Sequence, residues 1–158
     1  MKKIAILSLA LALVLALAAC GNNTKPTQLG TSDFSIVLPD GYALAADDLD
    51  EDQVAFFYKD DNSIDFDVYQ REKGTEYTLE SEANYFASEY GAVPEAVTIN
   101  GINGMKYVSA EDYDGNTYTV VNYMFEDDTN IVEICFWTVD TDAEYKAVDE
   151  IINTLKKN

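Results

Sequence analysis

The most specific chemistry in the chain belongs to Cys20, the last residue of Leu17-Ala18-Ala19-Cys20. Small residues directly before a cysteine form the lipobox read by the lipoprotein signal peptidase, and the thiol is diacylated before cleavage. Two further features coincide with it. Met1-Lys2-Lys3 is a short basic start, and Ile4 to Ala18 is an almost unbroken apolar run. Such a run suits the core of a signal peptide and falls short of the roughly 20 residues a helix needs to cross a bilayer. Gly21-Asn22-Asn23-Thr24 follows, with no basic stop-transfer flank. Residues 1–19 therefore read as a removable lipoprotein signal, and Cys20 as the lipid-carrying N-terminus of the mature chain. One acyl chain binds a membrane reversibly, whereas the two on a diacylglyceryl cysteine hold a protein stably at the surface. The expected location is the extracytoplasmic side of the cell membrane, with the lipid on Cys20 as the membrane contact.

Elsewhere the chain is poor in catalytic chemistry. It contains no histidine, which removes the commonest general base and metal ligand, and with it the Ser-His and Cys-His nucleophile pairs. Cys135 is the only other cysteine. Alone it makes neither an internal disulfide nor a zinc site, and its neighbours Ile134 and Phe136 suit a buried, inert thiol. Gly101-Ile102-Asn103-Gly104 lacks the spacing and context of a phosphate loop. The 29 acidic residues guarantee that some carboxylates lie close together, so any one pair is weak evidence for acid–base catalysis. Calcium is the metal to weigh, because hard cations take clustered oxygen ligands. The clusters are Asp47, Asp48, Asp50 and Asp52, then Asp60 and Asp61, then Asp127 and Asp128. None has the alternating acids, central glycine and closing glutamate of an EF-hand, and aspartate stabilises turns in any case. A non-catalytic protein with no cofactor and no metal site is expected.

The charge narrows the partners. The formal net charge is −19, and loss of Lys2 and Lys3 with a segment that holds no acid takes it to −21. Nucleic acid needs a basic footprint and is excluded as a partner. The same sign opposes docking face-down on anionic lipid. It favours either simple self-repulsion in solution or attraction to cations or a basic protein partner in the envelope.

The elements that would position any site follow from periodicity. Residues 21–31 are polar and aperiodic, with Pro26 and Gly30, and read with Cys20 as a lipidated flexible tether over 20–31. Residues 32–158 then form a single domain of ordinary size. Phe34–Leu38 alternates and ends in Pro39-Asp40-Gly41, a strand and a turn. Residues 53–59 and 63–70 read as strands joined by a turn at Asp60-Asp61-Asn62. Thr78 to Tyr90 switches to helical spacing, with Thr78 as N-cap, Leu79, Ala83, Phe86 and Tyr90 on one face, and Gly91 beyond the end. Four strands follow, over 96–99, 104–111, 117–126 and 131–139, with hairpin signals at Asn100-Gly101 and Asp114-Gly115. Thr141-Asp142-Ala143-Glu144 is a capping box opening a final helix, with Tyr145, Val148, Ile152 and Leu155 as its stripe and Lys156 and Lys157 complementing its dipole. Short turns between successive strands imply an antiparallel sheet, and helices packed on it give an α+β domain of about six to seven strands.

That alternation singles out one sheet face. Ile64, Phe66 and Val68 would pack inward with Val132, Ile134 and Phe136. The opposite face would then carry Asp65, Asp67 and Tyr69 beside Glu133, Cys135 and Trp137. Thr119, Val121 and Tyr123 could join them, although Val120 and Met124 serve equally well inside, so the facing of this strand is open. Rings that supply area and carboxylates that supply orientation can make a binding surface, and Asp65, Asp67, Tyr69, Tyr123 and Trp137 are the candidate residues. The alternative is that one helix covers the aromatic end while the aspartates lie at a wet margin.

The order β-β-β-α-β-β-β-β-α resembles a known group. It opens on Phe34-Ser35-Ile36-Val37-Leu38-Pro39-Asp40-Gly41-Tyr42, passes through Thr98-Ile99-Asn100-Gly101 and closes on Ile151-Ile152-Asn153-Thr154-Leu155. This pattern, over residues 33–157, is similar to the PsbP/DcrB-like α/β/α sandwich proteins, many of whose bacterial members are lipoproteins. The resemblance implies that fold and an accessory or assembly role in the envelope, and it brings no catalytic motif. A cation- or small-ligand-binding lipoprotein, using the acidic loops or the aromatic face, is the other function class the residues allow.

Metabolic labelling with a palmitate analogue tests the anchor. The mature protein is expected to carry label and to lack residues 1–19, and Cys20→Ser to carry none. An unlabelled wild-type chain, or a labelled Cys20→Ser chain, contradicts lipidation at this residue.

Overall fold

The computed structural model describes residues 25–45, 49–59, 64–75, 78–137 and 139–158, with the Tyr113 side chain set aside. The signal segment, Cys20, Asp47, Asp48 and the turn at Asp60-Asp61-Asn62 lie outside these residues. Among the described residues the elements are β1 (Pro26–Gln28), β2 (Phe34–Val37), β3 (Ala43–Ala45), β4 (Gln53–Tyr58), β5 (Phe66–Glu72), α1 (Leu79–Glu89), β6 (Glu95–Ile99), β7 (Ile102–Tyr113), β8 (Asn116–Glu126), β9 (Asn130–Trp137), α2 (Asp142–Ile152) and β10 (Lys156–Lys157).

Seven strands form one antiparallel sheet in the order β3-β4-β5-β9-β8-β7-β6. Its long hairpins are set by two dipeptides. Asn100-Gly101 and Asp114-Gly115 both take positive φ at both residues and close two-residue loops, Ile99 facing Ile102 and Tyr113 facing Asn116. That backbone twist matches the strands it joins. The helices start where their caps are. Thr78 and Ser81 exchange reciprocal bonds, as do Thr141 and Glu144. α1 ends on paired bonds, Ala92 N–H to Ala87 O at 2.8 Å and Gly91 N–H to Ser88 O at 3.2 Å, which satisfy carbonyls the helix leaves open.

A small sheet, β1-β2-β10, lies with α2 on one face of the large sheet. Phe34 and Ile36 from β2, Phe57, Phe66, Val68, Ile134 and Phe136 from the large sheet, and Val148, Ile151 and Ile152 from α2 are all buried in one core. Phe57 stacks on Phe66 with centroids 4.8 Å apart, and Phe66 meets Phe136 at 5.0 Å. Losing one such ring to alanine costs about 3–5 kcal/mol. The layer is tied down by polar groups as well. Thr154 Oγ1 accepts from Val37 N–H at 2.8 Å, and Asn100 Nδ2 donates to the Asn153 and Leu155 carbonyls past α2 at 2.7 and 3.0 Å. At Gly104, beside Phe125 in the ladder, an added Cβ would sit 2.5 Å from the Phe125 ring and 2.7 Å from the Met124 carbonyl, so the strand pair closes only over a bare backbone.

α1 covers the other face, with buried Ala83 and Ala87 against Tyr107, Met124 and Ile131. The result is three layers, α1, sheet, then α2 with the small sheet.

Three sequence expectations need correction. Residues 26–31 are not tether, because β1 pairs with β2 and Leu29 is fully buried, so the domain starts before residue 32. Lys156 and Lys157 do not sit at a helix end; α2 stops at Ile152 and they pair with Ser35 and Phe34 as β10. Tyr145 is more than a third exposed, and Ile151 takes the core position on α2.

Asp127 joins the β8–β9 turn to the start of β2. Its carboxylate accepts N–H bonds from Asp33 at 2.9 Å, Thr129 at 2.8 Å and Asn130 at 2.6 Å. Burial opposes its ionisation, but these donors outweigh it and hold the group down to about 2. This acid is therefore a structural turn residue rather than part of a calcium site.

Candidate functional site

The register of β5 on β9 sorts the residues by face. Phe66 pairs with Phe136 and Val68 with Ile134 on the α2 side, while Asp67 pairs with Cys135 and Tyr69 with Glu133 on the α1 side. β4 brings Phe56 beside Asp67, and β8 brings Val120 beside Trp137. Tyr123 falls on the wrong side for this set. It pairs with Ile134, is buried in the α2-side core and packs edge-on to Phe136, which corrects its inclusion among the candidates. Tyr118, Val120, Asn122 and Met124 are β8 residues that share the face of Trp137.

The α1 face is only half covered. The helix reaches Tyr107, Met124 and Ile131, and the Trp137 end stays open as a cleft of about 460 Å³. Asp50, Asp65, Asp67 and Glu111 bring carboxylates to it, and Phe56, Tyr69 and Trp137 bring rings. Tyr118 stands edge-on to Trp137 with centroids 6.3 Å apart. Trp137 is thus left half-exposed in the cleft, with Asp67 buried and Asp65 only half-buried.

Asp67 is the fixed centre. Trp137 Nε1 donates to its Oδ2 at 2.5 Å, and Gln53 Nε2 donates to its Oδ1. Asp65 Oδ1 accepts from the Lys59 backbone N–H at 3.3 Å, and Trp137 N–H bonds the Asp65 carbonyl at 3.0 Å. Glu111 Oε1 accepts from Ser109 Oγ at 2.7 Å. Burial raises all three carboxyl groups above their ordinary range. Repulsion from Asp50 and Asp65 adds to it at Asp67, and from Glu133 and Asp67 at Glu111, and the hydrogen bonds only partly offset it. Cys135 lies under the cleft, its thiol pushed well up by burial and by Glu133 and Asp67, so it is not a nucleophile.

A partly buried ion pair marks the boundary with α1. Glu133 accepts from Arg71 Nη1 at 2.9 Å and from the Tyr107 hydroxyl at 2.5 Å. The Arg71 guanidinium lies 4.2 Å from the Phe86 ring on α1 and 5.6 Å from the Tyr69 ring. It thereby links helix packing to the orientation of a cleft residue, and its charge is spent on Glu133.

Sequence reasoning placed Asp65, Asp67, Tyr69 and Trp137 on one face, and the structure brings all four to this cleft. It missed Phe56, Gln53 and Glu111. Phe56 comes to the cleft through its pairing with Asp67, and Glu111 only through the β7–β8–β9 ladders, which no local pattern encodes.

The clustered carboxylates set a pH signature. A carboxyl whose folded pKa is raised costs stability when ionised, a cost absent below its unfolded pKa and developed as pH rises through the folded value. Asp65→Asn should therefore raise the melting temperature at pH 7, and the gain should vanish as pH falls toward 4. A variant less stable than wild type at pH 7, or a gain that persists at low pH, contradicts this assignment.

No protein-family model matches the chain, and no curated protein does. Solved structures do match. One from Bacteroides thetaiotaomicron aligns with a TM-score of 0.60 at 16% identity over 83% of this chain and 49% of its own, so the present chain spans about half its length. Cyanobacterial PsbP (CyanoP) from Synechocystis sp. PCC 6803 aligns with a TM-score of 0.64 at 10% identity, covering 92% of this chain and 99% of that one. LpqN from Mycobacterium tuberculosis, a protein involved in cell envelope biogenesis, aligns with a TM-score of 0.58 at 13% identity, covering 87% and 86%. At these identities it is architecture that is shared. With its antiparallel sheet held between α1 on one face and α2 on the other, this chain has a PsbP-like fold.

Proposed function

We propose that the chain is a lipid-anchored protein of the extracytoplasmic membrane face that acts by binding, as an accessory or assembly module of the cell envelope. The lipobox ending at Cys20 supports the anchor. The likeness to LpqN, itself involved in cell envelope biogenesis, supports the envelope setting. The observation that carries the binding role is the cleft, where Tyr69 and Trp137 lie half-buried around the buried Asp67 carboxylate. Half-exposed rings and half-buried carboxylates such as Asp65 and Glu111, grouped around a fixed buried one, are what a ligand or a partner side chain would cover. Catalysis has weaker support. The two oxygens of Asp67 each accept from a fixed donor, which suits orientation better than proton transfer.

A second reading, a receptor for a small ligand or cation, is favoured by size. A cleft of about 460 Å³ lies within the range of small-molecule sites. The calcium form of this reading has no such support, since no group of three or more acidic or cysteine side chains among the described residues could hold a metal ion.

Trp137 is the only tryptophan in the chain, so its emission reports on the cleft directly. Purified full-length chain in a sugar-headgroup detergent would be screened against sugars, amino acids, nucleosides and amines. At least one class is expected to shift Trp137 emission and raise the melting temperature, with the thermal gain lost in Tyr69→Leu. No response to any class, or an equal thermal gain in Tyr69→Leu, contradicts binding at this cleft.

A further inference from the structure

We propose that the cleft takes a small organic cation, such as a quaternary or primary ammonium compound, held between the Tyr69 and Trp137 rings and the carboxylates of Asp65, Asp67 and Glu111. The inference rests on the reading of the cleft as a small-ligand site and adds the chemical class of the ligand. Four acidic side chains line the cavity, and no lysine or arginine is among its lining residues. The nearest guanidinium, on Arg71, is already paired with Glu133. Among the described residues, Asp50, Asp65, Asp67 and Glu111 form no ion pair at all. Anions and electron-rich neutral ligands therefore meet repulsion here, whereas a cation supplies the missing counter-charge.

The lining also selects among cations. A divalent metal wants several oxygens converging at about 2.0–2.6 Å. The Asp67 oxygens are instead turned to Trp137 Nε1 and Gln53 Nε2, and the remaining wall is aromatic. A diffuse charge on an organic skeleton suits that wall, because its cationic end is attracted to ring faces and its carbon atoms cover apolar surface. The space is several times that of a single ion. Burial holds the carboxyl groups of Asp65, Asp67 and Glu111 above their ordinary range, with neighbouring carboxylates adding to it at Asp67 and Glu111. A cation among them would relieve part of that cost.

The test pairs choline with 3,3-dimethylbutan-1-ol, which has the same shape without the charge. Both are titrated into the full-length chain in a sugar-headgroup detergent at low ionic strength, with Trp137 emission as readout. Choline should give a saturable change, and the neutral alcohol should bind roughly tenfold more weakly or worse. Asp65→Asn combined with Glu111→Gln should weaken choline by a similar factor while the melting temperature holds or rises. Each substitution also serves singly if the pair does not fold. Equal binding of the alcohol overturns the charge class while leaving a binding cleft. Silence of Trp137 toward both compounds and toward the wider panel overturns the cleft reading itself, and undiminished choline binding in the neutralised variants places the cation elsewhere.

Discussion

The ladder between β5 and β9 is the constraint on which the rest of the molecule depends. Seven residue pairs, from Phe66–Phe136 to Glu72–Asn130, lock two central strands together. Because side chains alternate, that one register sends Phe66, Val68, Ile134 and Phe136 into the α2-side core and Asp67, Tyr69, Glu133 and Trp137 to the opposite face. A slip of one residue in either strand would turn that strand's carboxylates into hydrocarbon and its own core side chains out of it. The aromatic stack of Phe57, Phe66 and Phe136 opposes any such slip, so the same contacts that stabilise the core also place the cleft.

What opens the cleft is the extent of α1. Eleven residues of helix, anchored through Ala83 and Ala87, cover only the end of the face where Tyr107, Met124 and Ile131 lie. The Arg71–Glu133 pair closes the edge of that contact, and its removal from either side would leave a charge stranded at the boundary. Beyond it the sheet presents carboxylates without counter-charge, a local cost that packing elsewhere must offset. Proteins tolerate such costs mainly where a site needs them.

Much of the architecture was legible in local signals. Asn-Gly and Asp-Gly dipeptides marked the hairpins, Thr141 and Glu144 marked the start of α2, and the alternation of Ile64, Phe66 and Val68 marked which face turns inward. The misses are non-local pairings. β1 and β10 are short polar segments that become strands only because β2 offers both edges, and nothing in Pro26–Gln28 or in two lysines announces it. Tyr123 was misassigned because β8 is apolar on both faces, Val121, Tyr123 and Phe125 on one and Val120 and Met124 on the other, so parity alone gives no direction. Asp65, Asp67 and Tyr69 were recoverable because they alternate along one segment, and Trp137 because Ile134 and Phe136 fix the inward parity of its strand. Glu111 was not, since it lies three strands away from β5.

The Trp137–Asp67 bond spans β5 and β9 at the floor of the cleft, and a single tryptophan makes it observable as one indole N–H resonance. Its chemical shift and solvent exchange, followed by NMR against pH, test the account most directly. A bonded, slowly exchanging proton that moves downfield of free indole, shifts as Asp67 titrates and returns toward the free position in Asp67→Leu is the predicted result. A resonance at the free-indole position, exchanging freely and insensitive to pH, would mean that Trp137 and Asp67 do not meet and that no such cleft is built.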